Sequence, residues 1–113
     1  MKILLNPEKF AIIKSKKIIR GAFTNIVDQN ETTVIIEQKD IDKKDIIDIQ
    51  KDYRLITFDG ILPFSLTGFL AKVAKALADE KIPIFAVSAY STDHILVHEK
   101  HIKKAEKTLR KLK

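Results

Sequence analysis

The order of strand and helix patterns in the second half of the chain most constrains its fold. Between residues 65 and 80, apolar residues recur every three or four positions, as on one face of an amphipathic helix: Leu70, Val73, Ala74, Leu77 and Ala78. Segments typical of strands precede and follow it at residues 54–58, 82–89 and 93–98. A second helix is predicted over residues 100–112. One further strand from elsewhere in the chain would complete the βαββαβ order of a ferredoxin-like α+β fold.

The first half of the chain is richer in strand patterns. Residues 10–13 and 47–49 are predicted as strands. Residues 22–27 and 33–37 are predicted to form a hairpin around a polar turn. The polar residues 40–45 favour a short helical turn. Because no Gly-, Ser- or Pro-rich linker separates the two halves, we expect one fused unit.

Composition excludes several classes of protein. The 113 residues include no cysteine, which excludes disulfides, thiolate metal sites and cysteine nucleophiles. No apolar run approaches the roughly 20 residues that a transmembrane helix needs, and the apolar run at residues 3–5 is far too short for a signal peptide. We therefore expect a cytoplasmic protein with no membrane partner.

The positive charge of the chain is concentrated at its end. The net charge is +6, and residues 100–113 carry seven basic residues and one acidic residue, which also gives +6. A basic helix attracts phosphates, so a nucleic-acid-binding ferredoxin-like protein is the alternative function. Against it, the sequence has no run of aromatic residues of the kind that stacks RNA bases on a sheet, and the lysines also fit the solvent face of an amphipathic helix.

The segment from Phe58 to Gly68 carries the most functional information. It connects a predicted strand to a predicted helix and contains a carboxylate, two hydroxyls and two of the three glycines. Free amides at a helix N-terminus form a natural site for a carboxylate group. The structural alternative is that Ser65 caps the helix, Gly60 forms a turn and Gly68 only allows packing.

Two motifs in this half resemble the ACT domain. They are Pro63-Phe64-Ser65-Leu66-Thr67-Gly68-Phe69-Leu70-Ala71 and, after the predicted helix, Ile82-Pro83-Ile84-Phe85-Ala86-Val87-Ser88-Ala89-Tyr90-Ser91-Thr92-Asp93-His94-Ile95-Leu96-Val97. The similarity is to small prokaryotic tandem-ACT proteins related to aspartate-kinase regulatory domains and to CASTOR-type arginine sensors. It spans roughly residues 54–112.

The resemblance implies a fold, a domain division and a function. It implies two ACT-like halves fused side by side, a degenerate one at residues 1–52 with a stunted first helix and an ACT domain at residues 53–113. It also implies a non-catalytic regulatory sensor that binds a free amino acid or similar small ligand without a cofactor. A homodimer and an unidentified regulated enzyme are the implied partners.

The resemblance also implies a set of ligand-binding residues at an interface between units. The strand-to-helix loop would supply Asp59, Gly60, Phe64, Ser65, Leu66, Thr67 and Gly68. The facing strand and turn would supply Ser88, Ala89, Tyr90, Ser91, Thr92 and Asp93. Amides near residues 65–68 would hold the ligand carboxylate, and Asp59 or Asp93 would pair with its ammonium group. Asp93 has the alternative role of fixing the turn between two strands.

The chain departs from the family pattern in or beside this predicted pocket. Asp59 stands where relatives usually have Glu, while Ala89, Ser91 and His94 stand where relatives often have Thr, Asp and Tyr. The identity of the ligand is therefore not inherited from the family.

Metal binding and catalysis have little support in the sequence. On a strand, His94 and His98 would lie about 13 Å apart, which is too far for one zinc ion. We therefore expect exposed histidines on a strand face. The sequence also lacks a GxSxG elbow, a P-loop, a dinucleotide fingerprint and an HExxH motif.

Overall fold

A computed structural model describes residues 2–60 and 68–112 of the chain. The chain divides into two compact units, one made of residues 7–53 and the other of residues 1–6 and 54–113. Two strands of fourteen residues each, β1 (Lys2–Ser15) and β4 (Ile46–Asp59), run through both units. No helix among the described residues is long and apolar enough to cross a membrane.

The unit of residues 7–53 is built from strands. Its short strands β2 (Thr24–Val27) and β3 (Thr32–Glu37) pair antiparallel and form the predicted hairpin. The spatial order is β2-β3-β1-β4, with β1 antiparallel to β3. The Asp28 carboxylate accepts hydrogen bonds from the amides of Asn30 and Glu31, at 2.9 and 3.0 Å, which closes the hairpin turn. The core residues of this unit are Ala11, Ile13, Val34 and Ile36.

Three predictions for this half were inaccurate in extent or place. The strands predicted at residues 10–13 and 47–49 are parts of the longer β1 and β4. Their remaining parts are half-buried or exposed and include polar residues and Pro7, so no long strand pattern runs through them. The helical turn predicted at residues 40–45 is instead a 3-10 turn at Gln38–Asp40.

The second unit has the order that the sequence predicts. After β4 come α1 (Phe69–Asp79), β5 (Phe85–Ser88), β6 (Asp93–His98) and α2 (Ile102–Arg110), with a 3-10 turn at Glu99–His101. The strands lie in the order β1-β4-β6-β5. The further strand required for a βαββαβ unit is therefore the first part of β1, residues 2–6.

One core joins the helices and strands of this second unit. The buried residues come from β4, α1, β6 and α2: Ile56, Phe58, Val73, Leu77, Ile95, Val97, Ala105 and Leu109 are among them. Ile3 and Leu5 of β1 pack against this cluster. The apolar stripes predicted for both helices thus face the core, as amphipathic helices do, except that Ala78 at the end of the α1 stripe is exposed.

A buried ionic contact also holds the first strand in this unit. The Arg54 guanidinium donates to the carbonyl oxygen of Asn6 from Nη2 at 3.0 Å and from Nε at 3.3 Å. Arg54 Nη1 also lies 3.5 Å from Glu99 Oε2. This buried oxygen has no hydrogen-bond partner among the described residues, so the charge of Arg54 balances it.

Both units have the same strand order. Numbered along each unit from its first strand, the strands lie in the order 2-3-1-4, with β1 first in one unit and β4 first in the other. Helices connect the strands only in the second unit. In the unit of residues 7–53, the segment after β1 has no helix and the segment after β3 has a single 3-10 turn.

Two element boundaries differ from those predicted. Helix α1 begins at Phe69 after Gly68, whose φ is 81°, rather than near Ser65, which lies outside the described residues. Strand β5 begins at Phe85 rather than at Ile82. Lys81 takes a φ of 60°, which is not a strand conformation, and Pro83 has no amide hydrogen to donate to a neighbouring strand; both disfavour pairing before Phe85.

Candidate functional site

The predicted site lies at one end of the second unit, where β4 ends and the β5–β6 hairpin turns. Thr57 on β4 and His94 on β6 are in contact, with Thr57 Oγ1 2.8 Å from His94 Nδ1. This contact places the end of β4, with Asp59 and Gly60, beside the start of β6, with Thr92 and Asp93. Four of the predicted site residues, Phe64, Ser65, Leu66 and Thr67, lie outside the described residues.

The two ends of the strand-to-helix connection, at the end of β4 and the start of α1, are among the described residues. Asp59 is half-buried, and its Oδ1 accepts a hydrogen bond from the amide of Gly60 at 2.9 Å. Gly60 and Gly68 both have left-handed backbones, with φ of 85° and 81°, which favour glycine. Phe58 and Phe69 meet edge to face with ring centroids 5.3 Å apart, so the start of α1 is packed against the end of β4.

The β5–β6 hairpin supplies the other predicted residues. Ser88 pairs with Asp93, and the amide of Ala89 donates to the carbonyl of Thr92 at 2.8 Å, which closes a tight turn. The Tyr90 residue is 96% exposed, whereas Asp93 is only 5% exposed. Ser88, Ala89 and Ser91 are exposed. The hairpin therefore offers small polar side chains and a free phenol to solvent, with Asp93 buried beneath them.

His94 is buried, so the expectation of an exposed histidine was wrong at this position. Its ring lies between two hydroxyls, with Nδ1 2.8 Å from Thr57 Oγ1 and Nε2 3.0 Å from Thr92 Oγ1. Residues 93–97 of β6 are all buried, and the strand lies between β4 and β5. Burial lowers the pKa of His94, and the negative charge of Asp93 opposes this shift in part.

The Thr57–His94–Thr92 bridge is the part of the site that the sequence reasoning missed. A neutral imidazole donates at one nitrogen and accepts at the other, and a hydroxyl can match either role. The bridge thus fixes the hairpin turn relative to the end of β4. Hydroxyl residues at positions 57 and 92 were the available signal, but only the strand pairing shows that they flank one ring.

The basic residues of α2 lie where an amphipathic helix places them. Lys103, Lys104, Lys107 and Arg110 are exposed, while the opposite face is buried. Two of these cations are engaged within the unit: Lys104 lies 3.7 Å from a Glu80 carboxylate oxygen, and Arg110 lies 2.9 Å from one of Glu106. The amphipathic interpretation of the basic segment is confirmed.

Solved structures with a similar fold span most of the chain. A structural genomics target from Agrobacterium tumefaciens is 23% identical, with a TM-score of 0.79 over 92% of this chain and 82% of that one. The ligand-free regulatory subunit of aspartate kinase from Thermus thermophilus is 11% identical, with a TM-score of 0.73 over 96% and 94%. The allosteric aspartate kinase of Clostridium acetobutylicum is 16% identical, with a TM-score of 0.73 over 94% of this chain and 33% of that one.

The family is shown by sequence. No curated protein sequence matches the chain. A family model described as the ACT domain matches residues 48–111, a stretch that contains the end of β4, both helices and the β5–β6 hairpin. Because that match covers more than half of the residues of the chain, the chain belongs to the ACT domain family.

Proposed function

We propose that this protein is a non-catalytic regulatory sensor that binds a free amino acid. The observation that carries the proposal is the family match over residues 48–111, which includes every element that forms the candidate site. Similarity to the regulatory subunit of aspartate kinase from Thermus thermophilus supports a regulatory role. The cysteine-free composition supports the cytoplasmic location that is part of the proposal.

The ligand would lie between the strand-to-helix connection and the hairpin. Its carboxylate would bind amides near residues 65–68, and its ammonium group would pair with a carboxylate of the site. The half-buried Asp59 suits this second role better than Asp93, because a ligand can reach it at the end of β4. Asp93 is 5% exposed and suits the alternative role of fixing the turn.

The proposal is tested by calorimetric titration of the full chain with each of the twenty amino acids. We expect saturable binding of a small subset. For that subset, Asp59→Asn should weaken binding by about tenfold or more, because it removes a charge-assisted contact. Asp79→Asn is the matched control, since Asp79 is an exposed aspartate of the same unit whose partner is Lys75.

The contrary outcome would favour the alternative function. If no amino acid binds, while RNA or DNA binds with an affinity that falls steeply with salt, the protein is a nucleic-acid-binding protein and the basic face of α2 becomes the interface. Equal amino-acid affinity in Asp59→Asn and in the unaltered chain would remove Asp59 from the site but would leave the sensor function standing.

We further propose that residues 1–52 are a degenerate ACT-like half and that residues 53–113 are the ACT domain. The shared 2-3-1-4 strand order of the two compact units supports two ACT-like halves, and residues 1–6 add the last strand to the second of them. The lack of an α-helix among the residues that connect the strands of the unit of residues 7–53 supports the term degenerate. On this view the protein belongs with the tandem-ACT sensors.

The proposed partners are a second copy of the chain and a regulated enzyme. The similarity to the Thermus thermophilus regulatory subunit supports a role in which the chain regulates a separate catalytic protein. Sedimentation equilibrium with and without the bound amino acid would test the homodimer. A monomer under both conditions would contradict it.

A further inference from the structure

A second cleft lies in the unit of residues 7–53, whereas the proposed amino-acid site belongs to the other unit. It has a volume of about 220 Å³. We name it the Arg20 cleft, and its lining residues are Lys17, Ile18, Ile19, Arg20, Asp42, Lys44 and Asp45. They come from two segments, the connection between β1 and β2 and the connection that precedes β4.

The wall that contains Arg20 is held by side-chain bonds to its backbone. The Asn25 amide group binds Ile19 twice: Oδ1 accepts from the Ile19 amide at 2.9 Å, and Nδ2 donates to the Ile19 carbonyl at 3.0 Å. The buried Ser15 hydroxyl donates to the Lys17 carbonyl at 2.7 Å. These bonds fix a segment that has no helix or strand of its own, so the wall is preorganised.

The opposite wall is held to the first by further bonds. The amide of Lys16 donates to the carbonyl of Asp45 at 2.9 Å, and Lys17 Nζ lies 3.2 Å from Asp45 Oδ2. Asp42 Oδ1 accepts from the amide of Lys44 at 3.1 Å, which fixes the turn that carries the Lys44 side chain. Asp45 itself has a φ of 65°, an unusual backbone for a residue other than glycine.

Some of the charged residues that line the cleft form ion pairs and others do not. Lys17 is paired with Asp45, whereas neither Arg20 nor Lys44 forms an ion pair with any residue in the described ranges 2–60 and 68–112. Both are exposed at the cleft. Ile18, with 58% of its surface exposed, adds an apolar wall beside them. Two cations and one apolar side chain therefore border the open cleft, which the exposed Asp42 also lines.

We propose that the Arg20 cleft binds the carboxylate or phosphate group of a small metabolite. Arg20 can contact two oxygens of such a group at once with its planar guanidinium, and Lys44 adds a second positive charge. Ile18 would contact the apolar part of the ligand. A cleft of about 220 Å³ lies below the usual range for drug-sized ligands, so the ligand is of amino-acid or sugar-phosphate size or smaller.

The test is a titration of the ¹⁵N-labelled full chain, followed by amide chemical shifts. Sodium phosphate and sodium acetate are the probes, each at constant ionic strength set with sodium chloride. We expect saturable shifts at residues 18–21 and 42–45. A tighter response to phosphate assigns a phosphate ligand, and a tighter response to acetate assigns a carboxylate ligand.

Three variants make the test specific. Arg20→Gln and Lys44→Gln should each raise the apparent dissociation constant by about fivefold or more, because each removes one cation from the anion site. Lys43→Gln is the matched control: it removes the same charge from the neighbouring exposed residue, which does not line the cleft. Its dissociation constant should remain within about twofold of that of the unaltered chain.

Two outcomes would overturn the proposal. One is a response to both probes that never saturates. The other is an equal loss of affinity in Lys43→Gln and Arg20→Gln, which would reduce the effect to general electrostatic attraction. This test is independent of the amino-acid sensor proposal. Asp59 lies in the other unit, so Asp59→Asn should leave anion binding at the Arg20 cleft unchanged.

Discussion

His94 makes the stability of the protein depend on pH. Burial lowers its pKa below the ordinary value of 6.5, so the unfolded chain takes up this proton at a higher pH than the folded chain. The free energy of unfolding should therefore fall as pH falls through about 6.5 towards the pKa of the folded state. Urea denaturation across this pH range measures the slope.

His94→Gln should remove this part of the slope, since glutamine does not titrate but can still bind hydroxyls. If His94→Gln and the unaltered chain show the same slope, other groups govern the pH dependence and His94 does not.

Arg54 provides a second prediction for a single residue. Its side chain is 16% exposed, and its guanidinium is bonded to the carbonyl of Asn6 and paired with Glu99. Arg54→Leu should lower the free energy of unfolding by about 1–3 kcal/mol, because it leaves a partly buried carbonyl and a partly buried carboxylate without their partner.

Arg110→Leu is the matched control for Arg54→Leu. Its ion pair with Glu106 is more exposed, with 56% of the Arg110 side chain accessible, and such pairs contribute about 0.2–1 kcal/mol. Guanidinium denaturation of both variants gives the comparison. A smaller loss for Arg54→Leu than for Arg110→Leu would contradict the role that we assign to Arg54.

At the level of single residues, the sequence predicted the strand positions of Asp59 and Asp93 better than the burial of their neighbours. The motifs around Asp59 and Asp93 placed both carboxylates at the end of a strand or the start of one, as observed. The burial of His94 was not predicted, because the strand pattern alone does not reveal which of its positions the rest of the unit covers. Arg54 was likewise unremarkable until Asn6, distant in sequence, was found beside it.

Among the elements, helix α1 has an unusual start. Gly68 precedes it with a φ of 81°, and an added Cβ would meet no atom of residues 2–60 or 68–112 within 4 Å. The cost of Gly68→Ala therefore comes from the backbone alone, and we expect a loss of about 1–2 kcal/mol. Thermal denaturation would detect it.

Gly68→Asn tests the same backbone explanation with a different side chain. Asparagine tolerates the left-handed region better than alanine, so its loss of stability should be smaller. An equal or larger loss for Gly68→Asn would mean that the space around Gly68, not its backbone, sets the cost.

The elements that the sequence predicted well are those with strong local patterns. Strand β6 and the β2–β3 hairpin were predicted closely, because a β-branched run and a polar turn with Asp28 identify them. Strands β1 and β4 were predicted as fragments. Pro7 interrupts the pattern of β1, and the polar run Gln50–Asp52 interrupts that of β4, yet the strands continue through both. Pairing with distant strands, which no local pattern records, holds them extended.

For the whole molecule, the contribution of residues 2–6 to the second unit leads to a prediction about folding. A fragment of residues 53–113 lacks Ile3, Leu5 and the Asn6 carbonyl that binds Arg54. We expect it to unfold without a cooperative transition. The same fragment with residues 1–6 joined to its C-terminus through a flexible linker should recover a cooperative thermal transition, since all four strands are then present.

In a control fragment, the joined strand has the same length but carries Ser in place of Ile3 and Leu5. This control separates the effect of side-chain packing from the effect of the added chain length. It should fail to restore the cooperative transition, because those two side chains pack on the core. Cooperative unfolding of residues 53–113 alone would contradict the prediction and would show that the first strand is dispensable for this unit.

The assignment of residues to the two units also bears on the order in which the units can fold during synthesis. Residues 7–53 are contiguous and can fold once the ribosome has released them. Residues 2–6 emerge earlier still, but the Phe58, Leu77 and Leu109 side chains of their core are made later. Ile3 and Leu5 therefore stay uncovered until residue 109 has been released, and through that interval they are open to chaperones and proteases.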